Sequence, residues 1–103
     1  MKAHNDTVIH KQILPTDKRF FSLPMSPPIT IIDVQEQNGN FTMWYSRPAD
    51  EKFVRAEYFR WIQTGEDFPN KYKECVKTIQ LTNGLVFHLF KYTSKFQWDL
   101  EQE

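Results

Sequence analysis

The stretch that decides the fold is ITIIDVQEQNGNFTMWYS, residues 29–46. At its centre Asn38 and Gly39 separate two runs of alternating apolar and polar residues. A two-residue type I′ turn needs positive φ at both central positions, and Asn-Gly supplies it at little steric cost. With the turn there, Glu36 faces Phe41, Val34 faces Met43 and Ile32 faces Tyr45. Ile32, Val34, Phe41, Met43 and Tyr45 then share one face, while Asp33, Gln35, Thr42, Trp44 and Ser46 share the other. A single register makes one face apolar, as a half-buried antiparallel pair requires. It leaves Trp44 on the polar side.

A second Asn-Gly pair lies in CVKTIQLTNGLVFHLFKYT, residues 75–93. A turn at Asn83 and Gly84 sets Leu81 against Val86, Gln80 against Phe87 and Ile79 against His88. The returning strand is apolar on both faces, with Leu85, Phe87 and Leu89 on one and Val86, Phe90 and Tyr92 on the other. Such a strand belongs at the centre of a fold. Upstream, TVIHKQIL (residues 7–14) reads as a short strand ended by Pro15, and residues 20–23 as another ended by Pro24. Pro24, Pro27 and Pro28 make the MSPP segment an extended connector.

Residues 49–66, ADEKFVRAEYFRWIQTGE, fit two readings. At helical spacing Val54, Tyr58, Trp61 and Ile62 form an apolar stripe, with Asp50 to cap the start and Gly65 to end it. The same Phe, Val, Tyr, Trp and Ile are also good strand formers. Residues 67–73 read as a loop held by Pro69, and residues 94–103 as a polar tail carrying Phe96, Trp98 and Leu100. The expected fold is all-β or mainly β, a small antiparallel β sandwich or open barrel of about six strands framed by the two Asn-Gly hairpins. It forms a single domain over residues 1–103, with its ordered core from about residue 7 to about residue 93.

Composition narrows the function. A chain of 103 residues with 16 % aromatic side chains can bury a core without disulfides or metal. Thirteen Lys and Arg balance thirteen Asp and Glu, so the basic surplus usual in nucleic-acid-binding domains is absent and nucleic acid is disfavoured. One cysteine, Cys75, excludes an internal disulfide and a cysteine-based zinc site, and suggests a reducing compartment. No signal-like run or membrane-length apolar stretch occurs, so a cytoplasmic protein is expected.

The stretches ILP, FSLP, ITIIDVQEQNG, MWYS, FRWIQTGEDFP and KTIQLTNGLVFHLF, in this order and spacing, resemble a family of small uncharacterised proteins of bacteriophages and prophages. The features that carry the resemblance are His10-Lys11, Gln37-Asn38-Gly39, Trp44, Phe59-Arg60, Thr64-Gly65, Pro69 and residues 86–90, over most of residues 8–92. TGEDFP departs from the family's Thr-Gly-His-Pro form, and the long C-terminal tail departs as well. The resemblance implies a compact β domain, a strand over residues 59–63, a phage origin and no established catalytic residues.

Candidate chemistry is sparse. His88 interrupts the most apolar strand, and the simplest account is a core histidine whose two nitrogens bond backbone or a neighbouring side chain. His4, His10 and His88 match no metal-ligand spacing, so no metal and no cofactor are expected. Cys75 and His88, about four positions apart along the hairpin, stand about 13 Å apart at strand rise, too far for a nucleophile and its base. Cys75 is expected to be a buried, inert thiol. Arg55, Tyr58, Arg60 and Trp61, with Arg47 and Lys52 nearby, form a basic–aromatic cluster suited to a protein interface or a nucleotide.

Two functions follow as expectations. The first is a non-catalytic phage-type protein that binds and inhibits a bacterial host protein, such as a defence complex, through Trp44, Arg60, Trp61 and His88. The alternative is a small-ligand or nucleotide-binding protein using the same side chains. A hydrolase or nuclease ranks last.

Overall fold

The computed structural model describes residues 6–51 and 53–103. Among them are seven strands: β1 (Thr7–Ile13), β2 (Phe20–Met25), β3 (Thr30–Gln37), β4 (Asn40–Pro48), β5 (Arg55–Gln63), β6 (Lys73–Gln80) and β7 (Val86–Tyr92). One short helix, α1 (Lys95–Glu101), follows. The strands are antiparallel and form a sheet of order β1-β4-β3 and a sheet of order β2-β5-β7-β6. The mainly β, antiparallel fold expected from the hairpins is therefore the fold found. By contact density the described residues form two compact units, one from residues 6–14 and 23–56, the other from residues 15–22 and 57–103.

In the first unit, Asn38 (φ 53°) and Gly39 (φ 82°) make the expected tight turn. Val34 pairs with Met43 and Glu36 with Phe41, as the alternation requires. The expected pairing of Ile32 with Tyr45 does not form, because the register shifts between Ile31 and Asp33. Ile32 is the extra residue of a bulge and is 52 % exposed, while Ile31 takes the place opposite Tyr45. A bulge of this kind turns one side chain out of the ladder and increases the local twist. Val34, Met43 and Tyr45 are buried.

In the second unit β7 lies between β5 and β6, and it has buried residues on both faces, Leu89 on one and Phe90 and Tyr92 on the other. Its turn differs from the two-residue reading. Gly84 N–H donates to Leu81 O (3.0 Å) and Leu81 N–H to Leu85 O (2.8 Å), with Gly84 at φ 90°. That is a three-residue hairpin loop in which Gly84 alone takes the left-handed conformation. The register moves by one, so Ile79 pairs with Phe87 and Thr78 with His88. Ile79 thereby joins the buried Leu89 face.

The segment over residues 53–63 resolves to strand β5 from Arg55 onward, on the extended side of the helix–strand ambiguity. β2 runs through Pro24 instead of stopping before it. Pro24 is tolerated because β2 is an edge strand, where an N–H facing outward is not needed. The expected polar tail is corrected most. Residues 95–101 are helical, with the Ser94 side chain capping the start by accepting from Gln97 N–H. Seven residues make no stable helix alone. Trp98 anchors this one, its indole N–H donating to Phe59 O (3.0 Å) and its ring packing on Tyr58 at 4.7 Å.

Candidate functional site

Strand β4 is the central strand of its sheet, and alternation divides its side chains cleanly. Met43 and Tyr45 point to the buried face, where the His10 ring meets Tyr45 edge-on at 5.5 Å. Thr42, Trp44 and Ser46 point the other way. Trp44 pairs with Lys11 on one side and Asp33 on the other, Ser46 with Ile9 and Thr30, and Thr42 with Ile13 and Gln35. This face carries Ile9 at 67 % and Ile13 at 53 % exposure, with Trp44 half-buried among them. A groove of about 400 Å³, lined by Thr7, Thr30, Ser46 and Arg47 among others, opens at the Pro48 end of β4.

The three tryptophans are treated differently. Trp61 donates its indole N–H to Pro15 O (2.9 Å) and Trp98 to Phe59 O. The Trp44 indole N–H has no partner among the described residues. A large amphipathic ring with an unused donor on an outer sheet face is the usual composition of an interface anchor.

Arg60 and Trp61, expected as a surface pair, are not one. Successive strand residues point to opposite faces, and both are 7 % exposed. Arg60 sends Nη1 to Glu101 Oε1 (2.8 Å) and Nη2 to Glu66 Oε2 (2.9 Å), with its guanidinium over the Phe20 ring at 4.9 Å. Arg19 also reaches Glu66. Glu101 in turn receives Lys73 Nζ (2.7 Å), Tyr92 Oη (2.5 Å) and Gln97 Nε2 (2.7 Å). Burial pushes the Glu101 carboxyl up, but the hydrogen bonds from Lys73, Tyr92, Gln97 and Arg60 outweigh it and hold the group below its ordinary 4.5. Burial first, then the bond to Glu101, raise the Tyr92 phenol well above its ordinary range. The cluster is a fastening for α1, so the basic–aromatic stretch is mainly structural. Of its other members, Tyr58 packs on Trp98, Arg55 is exposed, and Lys52 lies outside the described residues.

His88 is half-buried, and both ring nitrogens are engaged, Nε2 with Thr64 Oγ1 (2.8 Å) and Nδ1 with Thr78 Oγ1 (2.9 Å). A neutral imidazole satisfies both by donating to one hydroxyl and accepting from the other. Cys75 is exposed, correcting the expectation of a buried thiol. The register shift between Cys75 and Lys77 brings its sulfur to 3.9 Å from Thr78 Oγ1, so thiol and imidazole are linked through a hydroxyl and do not touch. Among the described residues no group of three His, Cys, Asp or Glu side chains is placed to hold a metal; His4 lies outside them.

Sequence reasoning missed Lys11, Ile9 and Ile13 as companions of Trp44. Their alternation in TVIHKQI was legible, but nothing local says that β1 pairs with β4. It also missed Glu101 and Lys73, which are unremarkable charges until α1 folds down.

Fold and site define a small antiparallel β protein with a sheet face that carries the half-buried Trp44 beside exposed Ile9 and Ile13 and, among the described residues, no helix long and apolar enough to cross a membrane. The chain belongs to the family described as Domain of unknown function (DUF7352), whose model matches residues 5–98. No curated protein and no solved structure matches it.

Proposed function

We propose that this chain is a non-catalytic binding protein that occupies another protein with the outer face of its β1-β4-β3 sheet, Trp44 at the centre. The observation that carries the reading is the indole donor of Trp44, without a partner among the described residues, beside exposed Ile9 and Ile13, while Trp61 and Trp98 spend theirs internally. The resemblance to phage proteins supports a bacterial host protein as the target, met in the host cytoplasm and inhibited by being covered, as a component of a defence complex would be. Arg60, paired with carboxylates, and Trp61, buried, drop out of both this reading and the nucleotide-sequestering alternative, which leaves Trp44 as the anchor.

The test compares the wild-type chain with Trp44→Ala as bait in a bacterial lysate, with Phe96→Ala, an exposed aromatic on α1, as control. A single host protein retained by wild type and Phe96→Ala but lost with Trp44→Ala, at an unchanged melting temperature, supports the reading. Retention of the same protein by Trp44→Ala refutes it.

A further inference from the structure

Sheets end in edges, and proteins usually blunt them with bulges, proline or charge. Three of the four edge strands here are blunted. β3 carries the bulge at Ile32, β6 shifts register between Cys75 and Lys77, and β2 contains Pro24. β1 has neither bulge nor proline, and its outer row carries the single charge of Lys11: its seven residues pair with β4 in unbroken register, from Thr7 opposite Pro48 to Ile13 opposite Thr42.

The ladder says which groups point outward. Leu14 N–H donates to Phe41 O (2.9 Å) and Ala49 N–H to Asp6 O (2.8 Å), so the even-numbered residues of β1 bond to β4. Antiparallel ladders alternate, which turns the N–H and C=O groups of Thr7, Ile9, Lys11 and Ile13 toward the free edge. Ile13 O is taken by the Gln12 side-chain amide (3.0 Å). The same odd residues put their side chains on the Trp44 face. Backbone groups and side chains thus address the same occupant.

We propose that β1 takes an extended segment of the partner protein as a fourth strand of this sheet. The segment carries an acidic side chain opposite Lys11, flanked two residues away on either side by an apolar one. The exposed backbone groups demand a strand, since only extended backbone repeats donors and acceptors at the spacing of an edge. Lys11 is the one charge on the β1 outer row, between Ile9 and Ile13, and a carboxylate directly opposite it is the favourable cross-strand pair. A second copy adding its own β1 meets this edge less well. Placing Ile9 against the partner's Ile13 sets Lys11 against the partner's Lys11, and like charges opposite each other repel. The inference rests on the reading of the Trp44 face as the binding face.

The probe is a synthetic heptapeptide, acetyl-Val-Thr-Glu-Thr-Val-Thr-Thr-amide, titrated into the whole chain and followed by amide NMR and hydrogen exchange. The expected result is slowed exchange at the Ile9 and Lys11 amides, and about five- to tenfold weaker binding when the peptide's Glu is replaced by Lys. Lys11→Glu in the protein reverses that preference. Ile9→Pro, which removes one outward N–H and leaves the β4 side intact, abolishes the protection. Should Ile9→Pro fail to fold, Lys11→Glu decides alone. Equal binding of both peptides, no binding, or protection centred elsewhere overturns the proposal. Edge amides already protected in the concentrated free protein overturn it too, by making a second copy the occupant. Host-protein capture that survives Ile9→Pro but not Trp44→Ala sinks the added strand alone; capture indifferent to both sinks the face as well.

Discussion

Glu101, near the end of the chain, and Arg60, in the middle of β5, meet at 2.8 Å with both side chains under a tenth exposed. The contact closes a network in which Lys73 and Tyr92 also point at the same carboxylate. Removing one partner of a buried pair leaves the others desolvated and uncompensated, which costs about 3–5 kcal/mol. Glu101→Gln is expected to fall toward the lower end, because Arg60 keeps Glu66. Urea denaturation at neutral pH measures the loss, and a change below about 1 kcal/mol contradicts the account.

Acid should act through the same group. A carboxyl held below its ordinary 4.5 in the folded chain stabilises fully above that value, and the contribution disappears as pH falls through the folded-state value. Melting temperature should therefore drop below about pH 4.5, and drop less steeply in Glu101→Gln than in wild type. Tyr92 has the opposite sign: its raised phenol stabilises below its ordinary 10.0, and that share is lost as pH climbs through the folded-state value. Parallel acid limbs for the two proteins exclude Glu101 as the acid-sensitive group.

Trp44 and Trp61 separate a contact residue from a core residue. Trp61→Ala removes a buried ring and strands the Pro15 carbonyl, for an expected loss of about 3–5 kcal/mol. Trp44→Ala removes a half-buried ring whose N–H has no partner among the described residues, for an expected loss of about 1 kcal/mol or less. Chemical denaturation of the two variants side by side reads the difference, and equal losses would return Trp44 to the core.

Gly39 sits at φ 82° with open space where a side chain would stand, so the obstacle to substitution is backbone strain alone. Gly39→Val is expected to cost more than about 1 kcal/mol, while Gly39→Asn costs less because Asn tolerates the left-handed region. Midpoints in urea rank the two.

Cys75 is exposed on edge strand β6. A thiol reagent should label it to completion in the native protein without denaturant. Labelling that needs unfolding would mean the strand is covered in solution.

Much of the fold was legible because its signals are local. Asn38-Gly39 requires a turn on conformational grounds alone, and period-two alternation on either side of it dictates which side chains share a face. The double-faced apolarity of residues 85–92 marked an interior strand for the same reason. Bulges were not legible: Ile32 and Ile31 are equally good partners for Tyr45, and only the closed ladder chooses. Residues 53–63 offered no local decision, since their aromatic and branched side chains suit a strand while their spacing suits a helix. Pairing with β7 decided it.

The candidate site divides along the same line. That Trp44 stands opposite the apolar face of its hairpin was determined by the sequence, because strand alternation needs no knowledge of the rest of the chain. That Arg60 and Trp61 turn inward was decided by the tertiary structure. A charged side chain reads as solvated until its partners are known, and Glu101 lies 41 residues away on a helix that has no stability of its own. The free edge of β1 is likewise a property of the sheet: which of its backbone groups face β4 and which face outward follows from register, and register is a relation between segments that neither contains alone.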